Sequence, residues 1–174
     1  MTKARILLLT AISLLAIGCT IPSKNLVGLQ EYQLDPQQID GTWINSDGAV
    51  ALKVIEPDKG ILRMIFLEDK EQPEIFTMKI MKGKSWLYFN LLPEKNRAEK
   101  IFYWGKVHIE ENKIIAWHPS DDAFIKAIAE GKLSGTIKPP CLTDTAQNII
   151  EVAESTENVF FQWEEPLFLI KLAK

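Results

Sequence analysis

The chain has 174 residues, of which 47% are hydrophobic, and its 20 basic and 23 acidic side chains give a net charge of −3. This mild acidic excess argues against a nucleic-acid-binding protein, which would carry a strongly basic surface. Two cysteines are too few for a disulfide-stapled secreted scaffold, and the length is enough for one domain with a sizeable core.

The N-terminus has the pattern of a secretory signal. Lys3 and Arg5 precede an uncharged run of 13 residues, 6–18, made mostly of Leu, Ile and Ala. As a helix this run would span roughly 20 Å, which is short for about 30 Å of bilayer hydrocarbon. A short apolar core behind two cations is typical of a signal peptide, so we assign residues 1–18 to one. A buried globular helix is the alternative.

The end of this run indicates how the protein is processed. Leu15-Ala16-Ile17-Gly18-Cys19 resembles the lipobox of bacterial lipoproteins, with Ala16 at the place where leucine is commonest. The resemblance implies cleavage between Gly18 and Cys19, thioether attachment of a diacylglyceryl group to Cys19, and N-acylation of the new terminus. Two or three acyl chains would hold the protein on a membrane, because each buried methylene contributes about 0.8 kcal/mol. An ordinary thiol in a signal peptide cut elsewhere is the alternative.

Residues 19–40 form the predicted tether between the lipid anchor and the folded domain. The stretch is polar and contains Pro22 and Pro36. As a flexible chain it would reach roughly 25 Å. A second interpretation is that part of the tether packs against the domain through Leu26, Val27, Leu29 and Tyr32. Asp35 before Pro36 predicts one helical turn leading into the domain.

The residue after Cys19 bears on location. In Gram-negative bacteria an Asp at this place tends to retain a lipoprotein in the inner membrane, whereas this chain has Thr20. Resemblance to that sorting rule implies an outer-membrane lipoprotein facing the periplasm. Removing Lys3 and Arg5 with the signal leaves 18 basic and 23 acidic residues, a net charge of about −5, which suits solubility in the envelope.

From Gly41 onward the pattern becomes that of β-strands. Apolar residues alternate at Val50, Leu52 and Val54, and the next predicted strands are 61–67, 76–80, 86–92, 101–109 and 114–117. Gly105, in the middle of one of them, predicts a bulge or bend. Six or seven strands in sequence, joined by short turns, are typical of an antiparallel meander that closes into a barrel.

Two short helices are predicted near the C-terminus. Ser120 begins the first, which ends at Gly131, and Thr143 or Thr145 begins the second, which runs to about residue 153. Residues 136–138, 159–163 and 167–172 are predicted strands, and the last is expected to close the sheet. The expected fold is therefore mainly β, a single barrel domain over residues 41–174 with two short helices.

The start of this domain resembles a known family. Gly41-Thr42-Trp43 is similar to the Gly-x-Trp motif that opens the barrel of lipocalins, where the tryptophan plugs the closed end. The resemblance implies a lipocalin-like barrel. The chain departs from that family in lacking its later arginine motif and in having two helices before the last strand instead of one. Residues 117–122 with the helices that follow resemble a pattern of small bacterial lipoproteins, which brings no activity with it.

Tryptophans are the candidate ligand contacts. Trp86 and Trp104 lie on consecutive predicted strands rich in aromatic residues, so some rings must leave the inner core. A ligand cavity or a partner surface would use them, and cover by the two helices is the alternative. Core packing is the favoured interpretation of Trp43, and cover by the helices is the favoured interpretation of the aromatic strands. Trp43, Trp86 and Trp104 are the candidate contacts if a small apolar ligand is bound.

No catalytic or metal-binding arrangement can be named. The sequence has no Gly-x-Ser-x-Gly elbow, phosphate-binding loop or dinucleotide fingerprint. A zinc site needs three or four protein ligands. Besides His108 and His118, the remaining candidates are Asp122 and Cys141, and they lie at no recognised spacing. We therefore expect no metal and no cofactor, and an enzyme is the least supported of the three function classes.

Cys141 is expected to be a small buried residue, with a reactive thiol as the alternative. Acylation of Cys19 would exclude a disulfide between the two cysteines. The sequence thus favours a lipid-anchored envelope lipoprotein whose barrel binds a small apolar ligand or an envelope protein. The alternative is a structural or assembly accessory lipoprotein with no ligand pocket.

Overall fold

The computed structural model describes residues 21–46, 48–67, 73–94, 98, 100–155 and 159–172. Gly18 and Cys19, the predicted cleavage and lipidation residues, lie outside these ranges. Strand β1 (Gln30–Glu31) and helix α1 (Pro36–Ile39) come first within them. Then follow β2 (Gly41–Asn45), β3 (Gly48–Glu56), β4 (Ile61–Leu67), β5 (Ile75–Lys82), β6 (Leu87–Pro93), β7 (Tyr103–Ile109) and β8 (Lys113–Trp117).

Helix α2 (Asp121–Ala129), the hairpin of β9 (Gly135–Ile137) and β10 (Pro140–Leu142), helix α3 (Ala146–Ala153) and strand β11 (Leu167–Lys171) complete the order. Strands β2 to β8 each pair antiparallel with the next, and β11 pairs with both β8 and β2. The result is a closed antiparallel barrel of eight strands, with β1 added beside the end of β5. The predicted meander and its closure by the last strand are confirmed.

Alternating side chains fill the barrel. Val50, Leu52 and Val54 on β3 point inward and are buried, while residues between them face outward. The inward positions of the other strands follow the same period and join one apolar cluster. Its members include Trp43, Leu62, Met64, Phe76, Ile80, Phe89, Val107 and Leu169.

Helix α1 packs across the barrel end at which β2 begins. The indole Nε1 of Trp43 donates to the Ile39 carbonyl at 2.9 Å, and Leu34 and Ile39 join the barrel core. Lys171 donates to the carbonyl of Gln38 at 2.6 Å, so β11 also holds this helix. The predicted helical turn after Asp35 is confirmed, because the Asp35 side chain accepts from Gln37 N.

A second layer covers the outer faces of β6 and β7. Its apolar core is separate from the barrel interior and includes Tyr88, Trp104, Phe124 and Ile150. The rings of Trp104 and Phe124 are 5.3 Å apart, so α2 lies directly on β7. Of the two interpretations of the aromatic strands, the structure shows cover by the helices.

Residues 21–29 run between this layer and the barrel. The buried side chain of Asn90 accepts from Val27 N at 2.7 Å and donates to Val27 O at 3.0 Å. These two bonds satisfy the backbone N–H and C=O of Val27, as the bonds to a neighbouring strand would. Of the two interpretations of the tether, the structure shows the packed one for its described part, residues 21–40.

Two expected features differ from the structure. Gly105 is not a bulge, since it pairs in regular register with Phe89, and a side chain there would meet the Phe89 ring and the Trp117 carbonyl. Close approach therefore explains this glycine. Residues 159–163, predicted as a strand, form only an isolated bridge between Phe161 and Pro119 in their described part.

Candidate functional site

A cavity of about 390 Å³, broadly open to solvent, lies at the barrel end where β6 begins and β7 ends. Its volume falls within the range of about 300–1,000 Å³ that is usual for small-ligand sites. The lining mixes aliphatic, aromatic and polar side chains. They are Tyr32, Ser85, Trp86, Leu87, Val107, His108 and Ile109.

The floor of the cavity is apolar because of strand register. Leu87 pairs with Val107, and both point into the barrel, where they meet its core with Ile109. Tyr32 and Trp86 supply aromatic walls. His108 lies on the exposed side and contacts the Glu110 carboxylate at 3.1 Å. The arrangement suits a small molecule with an apolar body and a polar group directed at solvent.

The turn that carries Trp86 is fixed by helix α3. The carboxylate of Glu154 accepts from Lys84 N at 3.1 Å, from Ser85 N at 2.8 Å and from the Tyr88 hydroxyl at 3.1 Å. Gly83 N donates to the Trp86 carbonyl at 2.7 Å. Burial and the Glu154 charge raise the pKa of Tyr88, so the phenol stays protonated and donates. The cavity wall therefore depends on the helical layer.

Trp86 also belongs to a cluster of three tryptophans. Its ring centroid lies 5.7 Å from that of Trp117 and 5.4 Å from that of Trp163, and those two are 5.5 Å apart. The ammonium of Lys106 lies 4.9 Å from the Trp86 centroid, 4.8 Å from that of Trp163 and 4.3 Å from that of Phe161.

Lys106 is only 3% exposed, which is rare for a lysine. Burial lowers its pKa to about 8, while the negative charge of Glu154 opposes that shift. The surrounding ring faces attract the ammonium form, as cation–π contacts do. An aromatic cage of this kind can bind a ligand cation, but here the protein's own lysine fills it.

The three tryptophans named from sequence have different places. Trp43 and Trp104 are fully buried, and their indole N–H groups donate to the carbonyls of Ile39 and Ile21. Their geometry is that of packing residues without access to the cavity. Trp86 alone of the three lines the cavity. Sequence reasoning expected Tyr32 only as a packing residue of the tether, and it missed Lys106. The signal for Lys106 is that it shares the outward face of β7 with Trp104.

The histidines do not meet. His108 lies at the cavity, whereas His118 follows β8 and contacts the Phe89 ring edge-on at 6.3 Å. His118 Nδ1 and Asp121 Oδ1 are buried atoms that find no hydrogen-bond partner among the described residues. Burial lowers the pKa of His118 and raises that of Asp121. Among the described residues, no group of three His, Cys, Asp or Glu side chains could hold a metal ion.

Cys141 is a buried free thiol. Burial raises its pKa, and its sulfur lies 3.6 Å from the Leu142 carbonyl. A raised pKa disfavours the thiolate that nucleophilic chemistry needs. The arrangement fits the interpretation of Cys141 as a small buried residue.

The part of the barrel wall formed by β2 and β11 carries an exposed apolar surface, which we call the outer stripe. It consists of Ile44, Phe168, Ile170 and Leu172. Ile44 on β2 pairs directly with Ile170 on β11, so their side chains lie together. Phe168 is 47% exposed. Contiguous apolar surface of this kind is typical of contact sites.

Comparison of the chain with family models, with curated proteins and with solved structures finds no match. In the part of the chain that the structure describes, no helix is both long enough and apolar enough to cross a bilayer.

Proposed function

We propose that this chain is a lipid-anchored lipoprotein of the bacterial envelope whose barrel binds a small apolar ligand. The observation that carries the binding role is the cavity of about 390 Å³, with its apolar floor and the walls formed by Tyr32 and Trp86. Its size and lining are those of a site for one small molecule. The polar groups of Ser85 and His108 favour a ligand with one polar end.

The lipid anchor is supported by the sequence. Lys3 and Arg5, the apolar run 6–18 and the Gly18-Cys19 junction together have the pattern of a lipoprotein signal. Thr20 favours the outer membrane, with the protein facing the periplasm. The acyl chains on Cys19 would keep the barrel at the membrane surface.

The anchor is tested by the variant Cys19→Ser in the native host. Loss of radioactive palmitate labelling and of membrane partitioning is the expected result. A Cys19→Ser chain that still labels with palmitate and still sediments with membranes would sink the lipoprotein proposal.

The binding role is tested by native mass spectrometry of the domain, released from its anchor after isolation from its own host. We expect a bound small molecule that is lost in Trp86→Ala, which removes a cavity wall. The matched variant Phe168→Ala, on the outer stripe, should retain it. If neither the wild type nor the control carries a small molecule, the binding proposal is wrong.

The outer stripe favours a second candidate, a structural or assembly accessory that contacts an envelope protein. Its test is Phe168→Lys, which places a charge in the stripe without touching the cavity. Under this alternative Phe168→Lys loses an envelope protein that cross-links to the wild type, whereas Trp86→Ala keeps it. An envelope protein that still cross-links to Phe168→Lys would count against the accessory role.

A further inference from the structure

The chain is already fixed to the domain at Ile21. The Ile21 side chain is fully buried, and its carbonyl accepts from Trp104 Nε1 at 2.9 Å. Ser23 pairs with Phe102 through backbone bonds of 2.9 and 2.8 Å. Cys19 precedes Ile21 by two residues, which span at most about 7 Å between Cα atoms. Covalent geometry therefore limits the attachment point of an anchor on Cys19 to within about 7 Å of the Ile21 Cα.

The β9–β10 hairpin is the neighbour of this segment. Leu142 N donates to Pro22 O at 2.8 Å, and Lys24 N donates to Leu142 O at 2.9 Å. The pairing is parallel, so the chain before Leu142 runs beside the chain before Ser23. Hydrogen-bonded strands lie about 4.8 Å apart, which puts Pro140 next to Ile21.

The tip of the hairpin carries suitable chemistry for a lipid surface. Ile137, the cross-strand partner of Pro140, is 42% exposed. One further strand spacing puts Ile137 roughly 10 Å from Ile21. Lys138 beside it and Lys24 on the neighbouring segment are also exposed. An exposed isoleucine among lysines can enter the headgroup boundary while the ammonium groups contact lipid phosphates.

We propose that the tip of the β9–β10 hairpin, Ile137 and Lys138, is a second membrane contact that fixes the orientation of the barrel on the bilayer. This inference rests on the proposed acylation of Cys19. The helical layer then faces the membrane. The outer stripe on β2 and β11 lies on the barrel wall across from β6 and faces away from it.

Site-specific fluorescence of the acylated full chain tests this orientation. In a Cys141→Ser background, Ile137→Cys carries an environment-sensitive dye, and Phe168→Cys on the outer stripe is the matched site. The chains are placed on vesicles of phosphatidylethanolamine and phosphatidylglycerol. The dye at 137 should shift to the blue and lose quenching by aqueous iodide, and the dye at 168 should not. An unshifted dye at 137, or a shift at 168 instead, overturns the inference.

Failure of the anchor and failure of the hairpin contact give different results. The intact mass of each chain shows whether Cys19 carries acyl groups. A chain without them overturns the anchor proposal and the hairpin contact with it. An acylated chain with an unshifted dye at 137 overturns the hairpin contact alone.

A measurement on the wild type avoids dependence on the folding of the variants. Backbone hydrogen exchange at residues 137–138 should slow on vesicles relative to the chain released from its anchor. Equal exchange rates in the two forms overturn the hairpin contact.

Discussion

The ammonium nitrogen of Lys106 lies 4.9 Å from the centroid of the Trp86 ring, and the same tryptophan lines the cavity at the barrel end. One ring thus separates a buried cation from the candidate ligand site. A change in the charge or volume of Lys106 therefore bears directly on a cavity wall. It also bears on stability, because the folded protein holds this amine with a pKa of about 8.

Lys106→Met should remove a pH-dependent part of the stability. Because the folded-state pKa of about 8 lies below the ordinary 10.5, the unfolded chain binds more protons between these values. The free energy of unfolding of the wild type therefore rises with pH across this window, by about 3 kcal/mol relative to the variant. Urea titrations at pH 7.5 and 10 measure the difference. A constant difference between the two proteins across this window would show that the amine is not perturbed.

Glu154→Gln should destabilise the protein and loosen the turn under Trp86. The carboxylate accepts three hydrogen bonds, and the amide leaves one oxygen to accept them, so we expect a loss of about 1–3 kcal/mol. Glu151→Gln is the control, since its ion pair with Lys84 spans 3.7 Å between exposed groups and is worth little. Thermal unfolding compares the variants. Equal melting temperatures for both would contradict the role of Glu154.

His118→Phe should remove part of the acid sensitivity. Burial lowers the pKa of His118 below 6.5, so the unfolded chain takes up this proton first as the pH falls. The free energy of unfolding of the wild type therefore falls as the pH drops below about 6.5. Above that pH, His118 does not reduce it. Denaturant titrations between pH 7.5 and 5 check this, and an unchanged pH slope in His118→Phe would count against it.

Truncation to alanine on the closing strand should cost much more stability at Leu169 than at Phe168. Leu169 points into the barrel core, so Leu169→Ala should cost about 2–5 kcal/mol. Phe168 points to solvent on the outer stripe, so Phe168→Ala should change stability by less than about 0.5 kcal/mol. Chemical denaturation measures both. A larger cost for Phe168→Ala would mean that this strand is turned over.

The barrel could be predicted because its strands alternate and its turns are short. Val50, Leu52 and Val54 show the period of two that a half-buried strand requires. The role of Gly105 could not be predicted from this period. A glycine within a strand marks either a bulge or a close approach of a neighbouring group. The position of the Phe89 ring decides between the two, and it depends on strand pairing that the sequence alone does not give.

The second layer was less predictable because its contacts join distant parts of the chain. Phe160 and Phe161 have the composition of a strand, yet they pack against Phe124 at 4.9 and 6.5 Å. The sequence left the packing of the tether open, because that packing depends on hydrogen bonds to Asn90 far along the chain. Lys106 resembles a surface lysine in sequence, and its aromatic cage exists only once residues 160–163 fold back onto β7.

The closure of the barrel has a consequence for synthesis. Strand β2 ends at Asn45, and its partner β11 begins at Leu167, so this pairing has very high contact order. A nascent chain in which β11 has not yet been synthesised exposes the unpaired edges of both β2 and β8. Folding must therefore finish after the last strand is available, and chains waiting in that state are exposed to edge-to-edge aggregation.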